Sequence, residues 1–92
     1  MSILPRFNLI KRSKFLPVKE EYEKHYQIIG ANIKKLRREM GWSQDDLANR
    51  CNKLDRGKIS KMENARADYM HSTLLEVCSA LGKDIVYICT EH

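Results

Sequence analysis

Apolar residues recur in steps of three and four at Val18, Tyr22, Tyr26, Ile29, Ile33, Leu36 and Met40. Side chains at that spacing stack on one face of an α-helix, so the pattern predicts a helix over residues 18–40, kinked near Gly30. Pro17 suits its first turn, where the amide that proline lacks would have no partner. Glu20, Glu21 and Glu23 bring negative charge to the positive end of the helix dipole. Gly41 ends the helix, Lys34, Lys35 and Arg38 fall on its outward side, and Trp42 is expected to fill the corner before the next element.

A second periodic stretch opens at Ser43, whose hydroxyl can accept from an unpaired amide of a first turn filled by Gln44, Asp45 and Asp46. Leu47, Ala48 and Cys51 give it an apolar edge, and Asn52 is the residue expected to turn the corner in the left-handed conformation. Leu54 precedes a second N-cap, Asp55, after which Ile59 and Met62 face inward three apart. Residues 65–71 read as a loop. The helix after it, capped by Asp68 or Ser72, buries Met70, Leu74, Val77, Cys78 and Leu81 and stops at Gly82. The period then changes: Ile85, Val86, Tyr87, Ile88 and Cys89 are β-branched, aromatic or apolar in succession, which predicts a β-strand. A lone strand leaves its amides and carbonyls unpaired, so it would pair with the amino-terminal arm or with the same strand of a second copy.

Three blocks, LRREMGWSQDDLA (36–48), ISKMEN (59–64) and TLLEVCSALG (73–82), stand in the order found in lambda-repressor-like, XRE-type helix-turn-helix proteins, which this chain resembles over roughly residues 28–84. One extra residue between Leu47 and Ile59, and Asn52 where that family more often has glycine, fall in the turn. The resemblance implies an all-α, five-helix bundle at residues 17–83, flanked by a basic arm at 1–16 and a short carboxy-terminal strand at 84–92 that would serve as a dimer contact. It implies a buried pair between Arg37 and Glu63 that locks the first helix against the third. It also places Arg56, Gly57, Lys58, Ser60 and Lys61 on the base edges of double-stranded DNA, and Ser43, Gln44, Asn64 and Arg66 on phosphates. Arginine or lysine suits guanine, whose O6 and N7 offer two acceptors on one edge. The MGWSQ block and the IVYIC tail are similar to the HipB-like antitoxins of the family, which implies a toxin protein as a further partner.

Charge sharpens this picture. The net charge of +5 lies in residues 1–19, which hold Arg6, Lys11, Arg12, Lys14 and Lys19 and no acid, while the remainder carries equal numbers of basic and acidic residues. A basic arm on a neutral body suits a polyanion. An apolar content of 42% fits one globular domain, and no run approaches the ~20 apolar residues that cross a bilayer. The apolar pieces near the amino terminus are broken by Pro5, Arg6, Lys11 and Lys14, against a secretory signal. Three cysteines without metal-ligand spacing point to a cytoplasmic protein with Cys51 and Cys78 as core residues, and to neither a zinc site nor a disulfide framework. No nucleophile–base pairing or phosphate-cradling glycine loop stands out, so neither catalysis nor a cofactor is expected. The reading is a homodimeric transcriptional repressor on a palindromic operator, plausibly an antitoxin. The alternatives are a phage or restriction-modification controller and a protein-interaction adaptor built on the same fold.

Overall fold

The computed structural model describes residues 18–92. The expectations for the arm at 1–16 and for Pro17 lie outside them. Among the described residues there are five α-helices: α1 (Glu23–Glu39), α2 (Gln44–Asn49), α3 (Arg56–Glu63), α4 (His71–Leu81) and α5 (Ile85–Cys89). One 3-10 turn, Glu20–Tyr22, precedes α1. The regular helix therefore starts later than the spacing predicts, because Tyr22 is exposed and has no core to stack on. Ile29, Ile33 and Leu36 of α1 meet Leu47, Ala48, Ile59, Met62, Leu74, Val77, Cys78, Leu81 and Ile88 in one core. Cys78 is buried in this core and Cys51 packs half-buried against it, and burial pushes both thiols up from their ordinary range.

Gly30 does not break α1, which runs through it without interruption. A Cβ at this position would lie 2.4 Å from the carbonyl oxygen of Glu63 and 2.6 Å from that of Met62. The missing side chain is thus what lets α1 lie directly on the end of α3. The terminal glycines behave as read: Gly41 and Gly82 adopt left-handed backbone, with φ of +74° and +73°. The corner between α2 and α3 turns at Lys53, with φ +60°, and not at Asn52. The Asn52 amide instead donates to Glu76 Oε2 of α4 at 2.7 Å, which ties that turn to the bundle.

The carboxy-terminal segment is a helix, not a strand. Asp84 Oδ1 accepts from the Tyr87 amide at 2.9 Å and so caps the start of α5, while Thr90 donates its hydroxyl to the Val86 carbonyl at 2.6 Å. Ile88 is fully buried against α1. Asn32, buried on α1, donates from Nδ2 to the carbonyls of Ile88 and Thr90 at 2.7 and 2.9 Å, supplying partners that a helix end otherwise lacks. Five apolar residues carry no readable period, so the cap and a distant asparagine decide the outcome.

Neither expected cap starts α4, whose N-cap position is Met70, exposed and without a side-chain bond. Asp68 turns elsewhere and accepts from its neighbour's amide, Tyr69 N, at 2.8 Å and from the Tyr26 hydroxyl. Tyr26 also packs edge-on against Tyr69, with ring centroids 5.3 Å apart. Burial, and then the bond to Asp68, push the Tyr26 phenol up from 10.0 to about 12. A raised folded pKa contributes stability that is full below the unfolded value and is lost as pH climbs through the folded one. Stability should therefore fall between pH 10 and about 12. Tyr26→Phe should flatten that fall in denaturant titrations at stepped pH, the remainder coming from Tyr69, which burial raises as well. Identical slopes would contradict the link.

Candidate nucleic-acid interface

Two capped helices and the turn between them form the candidate surface. Ser43 Oγ accepts from the Asp46 amide at 3.0 Å, and the Ser43 amide donates to Asp46 Oδ2 at 2.8 Å, a reciprocal capping box. The amide and hydroxyl of Ser43 hold the Asp46 carboxyl below its usual range. Asp55 Oδ1 accepts from the Lys58 amide at 2.9 Å and starts α3. Trp42 packs half-buried against the core as expected, with the Arg50 guanidinium 4.0 Å above its ring.

Behind α3 lies the ion pair that the resemblance implied. Arg37 Nε donates to Glu63 Oε2 at 2.6 Å and Nη2 to Oε1 at 3.1 Å, a fork with both residues buried. Arg37 Nη1 also donates to the Trp42 carbonyl at 2.8 Å, which ties α1 to the approach to α2. The bond to Glu63 raises the guanidinium pKa further. Gln44 Nε2 donates to Glu63 Oε1 at 3.1 Å, so this side chain is committed to the brace and not turned wholly outward. Nothing in the sequence pattern marks that contact.

With α3 fixed from behind, helical geometry sorts its residues. Ile59, Met62 and Glu63 face inward and are buried. At 3.6 residues per turn, Gly57, Lys61 and Asn64 lie opposite them, Ser60 and Lys58 fall at the two edges, and Arg56 stands at the exposed start of the helix, one turn before Ile59 and Ser60. Arg56 is largely exposed, its side chain 68% accessible, and stands 3.6 Å from the equally open Asp45 Oδ2. An exposed pair of this kind is worth about 0–1 kcal/mol, so a stronger anion can displace it. Around Gly57 a Cβ would meet only Asp55 Oδ1, at 3.3 Å, so packing inside the chain gives little reason for its absence.

The other predicted residues are more constrained. Lys58 is half-buried and donates from Nζ to the Lys53 carbonyl at 3.4 Å, leaning back over the turn. Ser60 and Lys61 are half-buried. Asn64 turns Nδ2 back to the Ser60 carbonyl at 2.8 Å and so serves the end of α3. Arg66 is exposed just beyond it, its amide donating to the Lys61 carbonyl at 2.9 Å. The surface thus gathers Ser43, Arg56, Gly57 and Lys61 with Arg66 at its margin, and draws the side chains of Gln44 and Asn64 partly into internal work. Among the described residues no group of three His, Cys, Asp or Glu could hold a metal ion. No described helix is long and apolar enough to cross a membrane.

This architecture, two capped helices braced through a buried fork, is that of the helix-turn-helix proteins. The sequence matches the Helix-turn-helix family over residues 33–88, more than half of the chain, and the protein belongs to that family. Among solved structures it is similar to the clp gene regulator ClgR from C. glutamicum, at 25% identity over 70% of this chain and 81% of that one, with a TM-score of 0.64. It is similar to the restriction-modification controller protein C.Esp1396I at 32% identity, over 68% of this chain and 80% of that one, with a TM-score of 0.61. A hypothetical transcription factor, NHTF from Neisseria, matches at 28% identity over 86% of this chain and 91% of that one, with a TM-score of 0.69. No curated protein matches the chain significantly.

Proposed function

We propose that this protein is a sequence-specific, double-stranded DNA-binding transcription regulator, acting as a repressor with two copies on a palindromic operator. The observation that carries the reading is the outer face of α3: Arg56 and Lys61 flank a glycine the fold hardly requires, while a buried fork holds the helix from behind. Such a helix enters the major groove with its first residues against base edges. Arg56, Gly57, Ser60 and Lys61 are assigned to bases, with Lys58 at the rim. Ser43, Arg66 and, through what their internal bonds leave free, Gln44 and Asn64 are assigned to phosphates.

Arg56→Ala should cost about 1–3 kcal/mol on the specific site and relax preference at one base pair, while Arg66→Ala should weaken all duplexes alike. Gel shifts against specific and random duplexes at two salt concentrations separate these outcomes, and affinity should fall steeply with salt as counterions are released. Equal losses for Arg56→Ala on both duplexes would remove its assignment.

The dimer seam moves with the corrected tail. The strand that would have paired copies is α5, and its outward Val86, 70% exposed, is the apolar point we assign to the seam. Val86→Asp should shift the protein to monomer in sedimentation velocity and abolish tight operator binding, and an unchanged sedimentation coefficient would count against it. With the strand gone, the antitoxin reading keeps the MGWSQ block and loses the second of its two supports, the extended tail. Control of a restriction-modification operon is the second reading, favoured by the 32% identity to a controller of that kind.

A further inference from the structure

Four carboxylates stand between Ser43 and Asn64, and three of them serve the fold. Asp46 closes the capping box with Ser43, Asp55 accepts from the Lys58 amide, and Glu63 forms the fork with Arg37. Among the described residues Asp45 makes no such bond. Its side chain is 62% accessible, and Oδ2 stands 3.6 Å from Arg56 Nη1. Negative charge in the first turn of α2 suits the helix dipole, but Asp46 already supplies it there. Asp45 also directly follows Gln44 and lies two residues past Ser43, both assigned to phosphates. A duplex seated on those residues therefore meets a carboxylate that repels it.

We infer that Asp45 is a positioning residue for base reading: it holds the Arg56 guanidinium by one corner and sets how strictly the protein separates its operator from other duplexes. A guanidinium is a planar fork with five N–H donors, so Nη1 can stay on Asp45 while the remaining donors meet guanine O6 and N7. Those two acceptors are fixed in place, and an arginine already held in one direction loses less freedom in reaching them. On a duplex without that guanine, binding comes almost wholly from phosphate contacts. There the Asp45 carboxylate offsets the charge that Arg56 would bring to a phosphate. Asp45 therefore lowers affinity for unrelated sequences and leaves the base contact in place, a discrimination that phosphate contacts do not supply. The inference rests on the assignment of Arg56 to a base, and gives that residue a partner on α2.

The test uses the full chain, the duplex it enriches most from a randomised pool, and a shuffled duplex of the same length and composition. Polarisation titrations at stepped salt compare the wild type with Asp45→Asn, and melting curves verify that the variant folds. Asp45→Asn should bind the shuffled duplex about fivefold more tightly at low salt, which corresponds to an exposed pair of about 1 kcal/mol. The plot of log affinity against log salt for that duplex should steepen by about 0.9, as one more phosphate is neutralised. On the enriched duplex the change should stay within about twofold, since relief of repulsion and loss of aim at Arg56 offset each other. Weaker support of the helix dipole would lower the melting temperature but would not move a salt slope. Glu21→Gln removes the same charge from the exposed turn before α1 and should leave discrimination as it is. In an Arg56→Ala background the steepening caused by Asp45→Asn should vanish. An unchanged ratio of the two affinities in Asp45→Asn, an equal effect of Glu21→Gln, or the same steepening without Arg56 would each overturn the inference and leave the DNA reading standing. No duplex enriched by the wild type, or equal wild-type affinity for the enriched and shuffled duplexes, would defeat that reading and the inference with it.

Discussion

Glu63→Ala is expected to destabilise the fold by about 3–5 kcal/mol, the usual cost of stripping one partner from a buried ion pair. The substitution leaves the Arg37 guanidinium buried without its carboxylate and takes the acceptor from Gln44 as well. A small domain holds only about 5–15 kcal/mol in total, so the variant should unfold early in urea and melt many degrees below the parent. Replacing both members of the pair with apolar residues should recover part of the loss, because no uncompensated charge then remains. A loss below about 1 kcal/mol in Glu63→Ala would mean that the fork is not the brace described.

Gly30→Ala should be the second large loss. The new methyl group would meet the carbonyl oxygens of Glu63 and Met62 at 2.4 and 2.6 Å, and backbone cannot bend away as a flexible side chain can. The expected strain is about 3 kcal/mol, at the upper end of ordinary overpacking, since α1 and α3 must separate. Alanine's better helix propensity offsets about 1 kcal/mol, leaving a net loss of about 2 kcal/mol. Because α3 carries the proposed reading face, duplex affinity should fall together with stability. A more stable variant in chemical denaturation would show that α1 and α3 are not in backbone contact.

What the sequence disclosed, and what it withheld, follows from how local each determinant is. Ser43, Asp55, Gly41 and Gly82 act within a few residues of themselves, and each does in the structure what its type and position predicted. The inward stripe of α1, from Ile29 to Leu36, was equally legible because helical period is a local signal. Arg37 and Glu63 lie far apart in the chain, and only the resemblance to a known family joined them before the structure did. Determinants acting across the fold stayed hidden. Gly30 reads in the sequence as the site of a kink, although its meaning lies in the backbone of α3. Asn32 gave no sign that it would hold the end of α5, and without it the tail looked extended. Met70 fitted the apolar stripe of α4 by spacing but lies at the helix start, outside the core.

The candidate surface divides in the same way. Arg56 and Lys61 are assigned to the reading face through the resemblance to a known family, since Arg56 stands one turn before Ile59 and spacing alone does not set it opposite the core. The inward turn of the Gln44 amide toward Glu63, and of the Asn64 amide toward Ser60, depends on neighbours that spacing does not name.

The central claim is that α3 reads bases from the major groove and that two copies do so symmetrically. Selection of bound duplexes from a fully randomised pool by the wild-type protein tests it most directly. The predicted result is a two-fold symmetric site with half-sites about 10–10.5 base pairs apart, or a multiple of that, each with a guanine for Arg56. A pool recovered with no enriched sequence, or an enriched site without symmetry, would contradict it.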